Sequence, residues 1–307
     1  MEETVVQIQS LKKSYGRTVA LSGIDLTVNR GEIFGIVGPN GAGKTTTIDC
    51  MAAMKKPDSG TLRVLGLDPL RDRRELQRRT GLQQQESELP ERIRVVEAIT
   101  LFGRLFGKAP NPGALLERVG LGEKADSYFS SLSGGQKKRL FVALALVNDP
   151  ELIMLDELTS GLDPAGRRKL WTLVEEFRGG SRTVVLSTHY MDEAEKLCDR
   201  VAFFNHGRVV AVDTPENLIA KYRPGIRLRL VCGENFQPET ALALHGVNRA
   251  EMNQGECVME LEGAHVVVPV IKALSDKGVS LGNLRTETPI LEDVFMELTG
   301  REYGDEQ

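Results

Sequence analysis

Apolar residues recur along this chain in several rhythms, and each predicts a different kind of element. Residues 4–8 alternate apolar and polar side chains and are rich in β-branched types, and residues 21–28 read similarly; both are predicted strands. Residues 32–37 (EIFGIV) are nearly all apolar between two glycines, as a strand buried on both faces of a parallel sheet would be. A helix is predicted over 44–54, followed by a turn at 55–60. Residues 86–148 are mainly helical in pattern, with helices at 95–106, 115–119 and 135–147. Two apolar strands follow at 152–155 and 183–186. Between them lies a predicted helix at 164–177, with Asp163 as its cap and Pro164 at its first position. Residues 201–205 and 208–212 predict a hairpin through His206-Gly207.

The pattern changes near Tyr222, where Arg223-Pro224-Gly225 punctuate the chain. Beyond them, strand-like pieces at 226–232, 257–261 and 279–284 alternate with helices near 266–274 and 290–298. The expected organisation is a nucleotide domain over 1–222, with a helical subdomain at about 86–148, and a small α+β accessory or regulatory domain over 226–307. No internal repeat or low-complexity segment interrupts it.

Composition narrows the function classes. The 307 residues suffice for one large domain or two unequal ones, and 41% apolar residues is ordinary for a soluble protein. A net charge of −4 provides no basic field for nucleic acid, so no nucleic-acid partner is expected. The locally basic run 71–79 (RDRRELQRR) reads as a solvated helix face. Cys50, Cys198, Cys232 and Cys257 have neither C-x-x-C nor zinc-ligand spacing and read as reduced, mostly buried thiols of a cytosolic protein. The start Met-Glu-Glu argues against a signal peptide. The longest apolar run, 141–147, is far short of the ~20 residues of a spanning helix.

Candidate chemistry concentrates at four places. Gly38-Pro39-Asn40-Gly41-Ala42-Gly43-Lys44-Thr45 matches the phosphate loop G-x-x-x-x-G-K-[ST] and sits between a predicted strand and helix, the context that motif requires. Its glycines let backbone N–H groups wrap phosphates at a helix N-terminus; Lys44 would neutralise the β- and γ-phosphates, and Thr45 would offer a hydroxyl to Mg²⁺. Asp156 closes an apolar strand, where a carboxylate is costly unless it serves a metal, and is expected to hold Mg²⁺ through water. Glu157, the next residue, points to the other face and is suited to polarise an attacking water. Ser133-Gly134-Gly135-Gln136 precedes a long helix: the serine is a good cap, and the two glycines leave backbone N–H groups open to an anion. A second phosphate-contacting surface in a chain with one nucleotide site suggests a site shared across a dimer. His189 follows a buried strand ending in Ser187-Thr188; by itself a histidine there is more often structural. Any of Gln83, Gln84 and Gln85 could carry a polar role, and Tyr15 before Gly16 could stack on a base or could not.

Together, and in this order, these residues resemble the nucleotide-binding subunit of an ATP-binding cassette (ABC) transporter over about residues 4–222. Leu132-Ser133-Gly134-Gly135-Gln136 is similar to that family's own signature. The resemblance implies a P-loop NTPase cassette of α/β class: a RecA-like core, an antiparallel β subdomain and a helical subdomain, here with the α+β appendage. It implies an ATPase using ATP and Mg²⁺. Tyr15 then matches the adenine-stacking aromatic, and residues 38–46 (Gly38, Pro39, Asn40, Gly41, Ala42, Gly43, Lys44, Thr45, Thr46) the phosphate loop. Gln85 matches the glutamine that touches Mg²⁺ and water and reports to the membrane partner. Ser133, Gly134, Gly135 and Gln136 match the signature that meets ATP held by the opposite subunit. Asp156 matches the metal-associated aspartate, Glu157 the catalytic base, Asp163 the dimer-contact loop and His189 the switch histidine at the γ-phosphate. Where the family has proline after the catalytic glutamate, this chain has Leu158, which leaves the following loop freer. Lys137-Lys138-Arg139 is a basic variant of the polar run after the signature, and no role is assigned to it.

The tail Leu291-Glu292-Asp293-Val294-Phe295 with Leu298-Thr299-Gly300, together with runs 81–86 and 101–107, resembles ATPases of bacterial type-2 exporters, the daunorubicin-type drug-resistance group among them. The implied partners are an integral-membrane permease and a second ATP-binding subunit, identical or not. The implied location is the cytoplasmic face of the inner (plasma) membrane, as a peripheral protein. The competing reading is a soluble ABC ATPase that acts on a protein complex without transport; the exporter-like tail favours the first.

Overall fold

The computed structural model describes residues 3–178, 182–223, 225–232, 236–253 and 255–300. The chain divides into two compact units, Met1–Pro215 and Glu216–Gln307. In the first unit the elements are β1 (Thr4–Tyr15), β2 (Thr18–Asn29), β3 (Ile33–Val37), α1 (Lys44–Met51), β4 (Ser59–Val64), α2 (Arg73–Arg79), β5 (Thr80–Gln83), α3 (Val95–Leu105), α4 (Pro112–Arg118), α5 (Gly134–Ala145), β6 (Leu152–Asp156), α6 (Pro164–Glu175), β7 (Thr183–Thr188), α7 (Met191–Leu197), β8 (Arg200–Asn205) and β9 (Arg208–Asp213).

A six-stranded sheet of order β5-β6-β7-β3-β8-β9 positions the site. Every pair in it is parallel except β8–β9. All residues of β3, β6 and β7 are buried, which explains the apolar runs that make up most of each: a parallel sheet is covered on both faces. The register aligns the strand ends. Val37 lies opposite Thr188, and Asp156 opposite Ser187. Gly38, Glu157 and His189 therefore leave the sheet at the same carboxyl edge, where open α/β sheets bind ligands. β5 ends there too, with Gln83 opposite Leu155, so the three-glutamine run reaches the same edge.

An antiparallel sheet of order β2-β1-β4 shares one apolar core with the large sheet and α1, formed by Leu11, Leu21, Leu26, Phe34, Ile36 and Ile48 among others. β1 and β2 each run twelve residues, longer than their alternation predicts. A bulge between Ile8 and Leu11, with Ser10 at φ 49°, resets the alternation while the pairing continues. α1 stops at Met51, short of residue 54, because Ala53 turns to φ 58°. The expected hairpin forms between β8 and β9, with His206 and Gly207 both at positive φ, the conformation that tight hairpin turns need. The basic run falls largely on α2, where Leu76 is the buried residue. All four cysteines are buried and free.

The second unit contains α8 (Pro215–Tyr222), β10 (Ile226–Val231), α9 (Pro238–Leu242), β11 (Val247–Asn253), β12 (Glu256–Leu261), α10 (Val267–Asp276), β13 (Gly282–Glu287) and α11 (Leu291–Thr299). It is built on an antiparallel sheet of order β11-β12-β10-β13. Leu228, Leu230, Met259, Leu261, Val270 and Leu274 form its own core. The division between units falls at the start of α8, one helix ahead of the punctuation at 223–225. β13 starts at Gly282 rather than residue 279. β11, an edge strand whose residues are mostly exposed and polar, carries no apolar pattern that could announce it.

Candidate functional site

The loop after β3 is shaped by close backbone approaches that only glycine permits. A Cβ on Gly38 would lie 2.2 Å from the Phe204 carbonyl oxygen, and one on Gly43 would lie 2.6 Å from that of Ala20. Gly43 is also at φ 105°, a region that disfavours side chains. The Gly38 N–H donates to the Thr188 carbonyl at 3.2 Å, which ties the loop to the end of β7. Lys44 opens α1 and folds back along the loop, donating to the carbonyls of Gly38 at 2.8 Å and Pro39 at 3.0 Å. Thr45, the next residue, donates its hydroxyl to Asp156 Oδ1 at 3.3 Å.

The two acids after β6 face different surroundings. Asp156 is buried and meets the hydroxyls of Thr45 and Ser187. Burial pushes its carboxyl above the ordinary range, and the two hydroxyl bonds oppose that shift. A buried carboxylate with a hydroxyl beside it at the mouth of a phosphate loop is the hard-oxygen donor set that suits Mg²⁺. Glu157 turns away to a second cluster. Its Oε1 lies 3.4 Å from Lys44 Nζ and 3.5 Å from His189 Nδ1, and its Oε2 accepts from Gln85 Nε2 at 3.3 Å. The His189 contact is longer than a formed hydrogen bond. Even so His189, with Lys44, holds the Glu157 carboxyl below the usual range against the cost of burial.

The structure separates the three glutamines. Gln83 is buried in β5, Gln84 donates to Met54 Sδ, and Gln85 reaches Glu157. His189 stands at the same cluster; its ring packs 4.0 Å from that of Tyr190, which in turn carries the Arg167 guanidinium at 3.8 Å. Tyr15 is 44% exposed at the end of β1. It pairs with Thr18, two residues before the Ala20 that abuts Gly43, so it lies at the phosphate-loop end of that sheet.

The signature opens a separate element, α5. Ser133 caps α5 through a capping box: its hydroxyl accepts from Gln136 N at 3.3 Å, and Gln136 Oε1 accepts from Ser133 N at 2.9 Å. Ser133 and Gly134 are exposed, and the nearest neighbour to a side chain at Gly135 is Leu162 of the loop 160–163, at 3.8 Å. Asp163 caps α6, accepting from Gly166 N at 2.9 Å. Leu158 is 4% exposed, so the leucine that replaces a turn-fixing proline is packed inside, and turns at Ser160 and Leu162 order the loop. The motif pattern alone singled out neither Ser187, whose hydroxyl meets Asp156 and also accepts from Glu157 N at 3.1 Å, nor Lys138, whose ammonium reaches the carbonyls of Gln85 and Glu157. Ser187 had a signal, its place beside Thr188 and His189; Lys138 had only its spacing from the signature.

Comparison with known proteins agrees with this arrangement. Residues 21–160 match the family model for the ABC transporter. The chain is 37% identical over 308 residues to a Nod factor export ATP-binding protein I of a Rhizobium species, covering 98% of this chain and 99% of that one. It is 34% identical to a daunorubicin resistance ATP-binding protein of Streptomyces coeruleorubidus, over 98% of this chain and 97% of that protein. Among solved structures it superposes with TM-score 0.64 and 30% identity on a Clostridium perfringens chain described as part of the cbiONQ ABC transporter complex, covering 72% of this chain and 92% of that one. A phosphate loop, a carboxylate pair and a histidine on one sheet edge, with relatives matching end to end, place this chain in the ABC transporter family as an ATP-binding subunit, an ATPase similar to those of type-2 exporters.

Proposed function

We propose that the chain powers export: ATP binding closes two cassettes head to tail, and hydrolysis reopens them, driving a separate membrane-spanning permease. The observation that carries this reading is the division of the site. Lys44, Gln85, Glu157 and His189 converge around one carboxylate, whereas the signature Ser133-Gly134-Gly135-Gln136 faces outward beside the loop 160–163. An exposed signature at the start of its own helix, beside a phosphate loop that already has its lysine and carboxylates, is read as the half that completes a second cassette's site. The names of the relatives, Nod factor export and daunorubicin resistance, support export as the process served.

In this mechanism the N–H groups of Gly38 to Thr46 and the Lys44 ammonium bind the phosphates of ATP, and Tyr15 covers the adenine. Thr45 and Asp156, with Gln85, would hold Mg²⁺, which supplies charge neutralisation on the β- and γ-phosphates. Glu157, kept ionised by its cationic neighbours, accepts a proton from the attacking water, and His189 braces the γ-phosphate. Most of the catalysis is positioning and electrostatics. The partner's Ser133 side then senses whether the γ-phosphate is present.

A groove lined by Met54, Gln84, Leu89, Phe102, Phe106 and Phe141 opens beside the Gln85 loop. Leu105 on α3 is 72% exposed. This surface suits an apolar element of the permease and gives it a route to Gln85. Among the described residues no helix is long and apolar enough to cross a membrane, so the spanning part is assigned to that partner.

The test is to isolate a tagged Glu157→Gln variant, with ATP and Mg²⁺, from detergent-solubilised membranes. A multi-span protein recovered in near-stoichiometric amount is the expected outcome. Recovery only from the soluble fraction, alone or with a soluble complex, would sink the transport reading and favour a non-transport ABC ATPase.

A further inference from the structure

Glu157 sits at φ 47°, in the left-handed region that a residue with a side chain rarely occupies, and such a conformation persists only where its surroundings over-determine it. Its N–H is fixed by Ser187, donating to the backbone carbonyl at 3.1 Å and to Oγ at 3.1 Å. Its carbonyl accepts from Ser160 N at 3.2 Å and from Lys138 Nζ at 3.4 Å. The same ammonium donates to the Gln85 carbonyl at 3.4 Å. Lys138 thus joins two segments far apart in sequence, the end of β6 and the Gln85 loop. It does so from α5, the helix that opens with Ser133 and Gly134, so Lys138 lies one turn beyond Gly134 on the signature helix.

We propose that Lys138 is a positioning residue for hydrolysis: it fixes the Glu157 backbone and the Gln85 loop relative to each other and to the signature helix. The proposal rests on the reading of Glu157 as the catalytic base. An ammonium has three donors and no fixed plane, so one lysine can serve two carbonyls at once without engaging the side chains of Gln85 and Glu157. Arginine can span the same two carbonyls with a planar fork. Methionine fills the same volume with no donor. Loss of the bridge loosens the backbone on which the Glu157 carboxylate is aimed and leaves the phosphate loop in place.

The experiment compares steady-state ATP hydrolysis, ATP affinity and thermal unfolding of the full-length wild type, Lys138→Met, Lys138→Arg and Glu157→Gln. Expected is a fall in kcat on the order of tenfold or more for Lys138→Met with KM for ATP within about twofold, the pattern of a lost transition-state alignment. Lys138→Arg should restore most of kcat, and the unfolding midpoint should not track the rates. Near wild-type kcat in Lys138→Met while Glu157→Gln is inactive would overturn the role of Lys138 alone. So would a raised KM at constant kcat, or activity and unfolding midpoint falling together with no rescue by arginine. Normal hydrolysis by Glu157→Gln would instead overturn the reading on which the proposal rests. Should Lys138→Met fail to fold, Lys138→Gln is read by the same criteria.

Discussion

Asp156 and Glu157 are neighbours in sequence with opposite electrostatic settings. Asp156 is pushed up by burial; Glu157 is held down by His189 and Lys44. The linkage follows from those directions. A carboxyl whose folded pKa is raised weakens the fold above its ordinary value, and protonation relieves this as pH falls through the folded value. A carboxyl whose folded pKa is lowered stabilises the fold above its ordinary value, and that contribution is lost as pH falls through the lower folded one. Asp156→Asn is therefore expected to leave the nucleotide-free protein as stable as wild type or more so near neutral pH. It should also abolish the extra stabilisation that Mg²⁺ adds to ATP, a stability gain at the expense of function. Thermal unfolding with ATP, with and without Mg²⁺, checks both halves; an undiminished Mg²⁺ increment would remove Asp156 from the metal site. With Glu157 as the proposed base, its lowered pKa predicts an acid limb of hydrolysis shifted below the ordinary carboxylate range, which a pH–rate profile measures.

At the scale of elements, Glu193 on α7 shows how helices and loops are held around the end of β7. Its carboxyl is 2% exposed and accepts from Trp171 Nε1 of α6 at 2.9 Å. Burial raises its pKa, and the hydroxyls of Thr188 and Thr159 face it and oppose the shift, as does Trp171. One buried acid thus gathers α6, the end of β7 and the segment after Glu157. Trp171→Phe keeps the ring and removes the donor, and is expected to cost about 1–3 kcal/mol. The raised pKa fixes the sign of its pH dependence: the loss should be larger at an alkaline pH, where more of the acid is charged, than at an acidic one. Denaturant unfolding at the two pH values measures it, and an equal or reversed loss would mean that the carboxyl is not the group affected.

At the scale of the whole molecule, the proposed function calls for a second cassette. Glu157→Gln with ATP and Mg²⁺ should sediment at twice the protomer mass. Adding Ser133→Arg, which places a bulky cation on the exposed cap, should return it to a monomer while ATP still binds. A species that stays at protomer mass with saturating ATP would remove the head-to-tail pair from the mechanism.

Much of this architecture was legible in the chain because it rests on local physics. An unbroken apolar run such as residues 33–37 can only be a strand covered on both faces. A phosphate loop needs its glycines wherever it occurs, and Ser133 and Asp163 announce the starts of α5 and α6 by their capping chemistry. Elements with weak or polar patterns stayed hidden: β5 is four residues long, α7 is largely charged, and β11 is an exposed edge. Within the site, sequence could name the loop, the acid pair and the signature, but it chose Gln85 over Gln83 and Gln84 only through the family resemblance and could not find the bridges through Ser187 and Lys138. Those depend on strand order and register. β5, β6, β7 and β3 lie side by side with their ends aligned, and that alignment brings residues a hundred positions apart to one carboxylate. Side-chain chemistry is written residue by residue, whereas proximity is decided by pairing across the sheet, so the sequence alone determined which groups could act and the tertiary structure decided which of them meet.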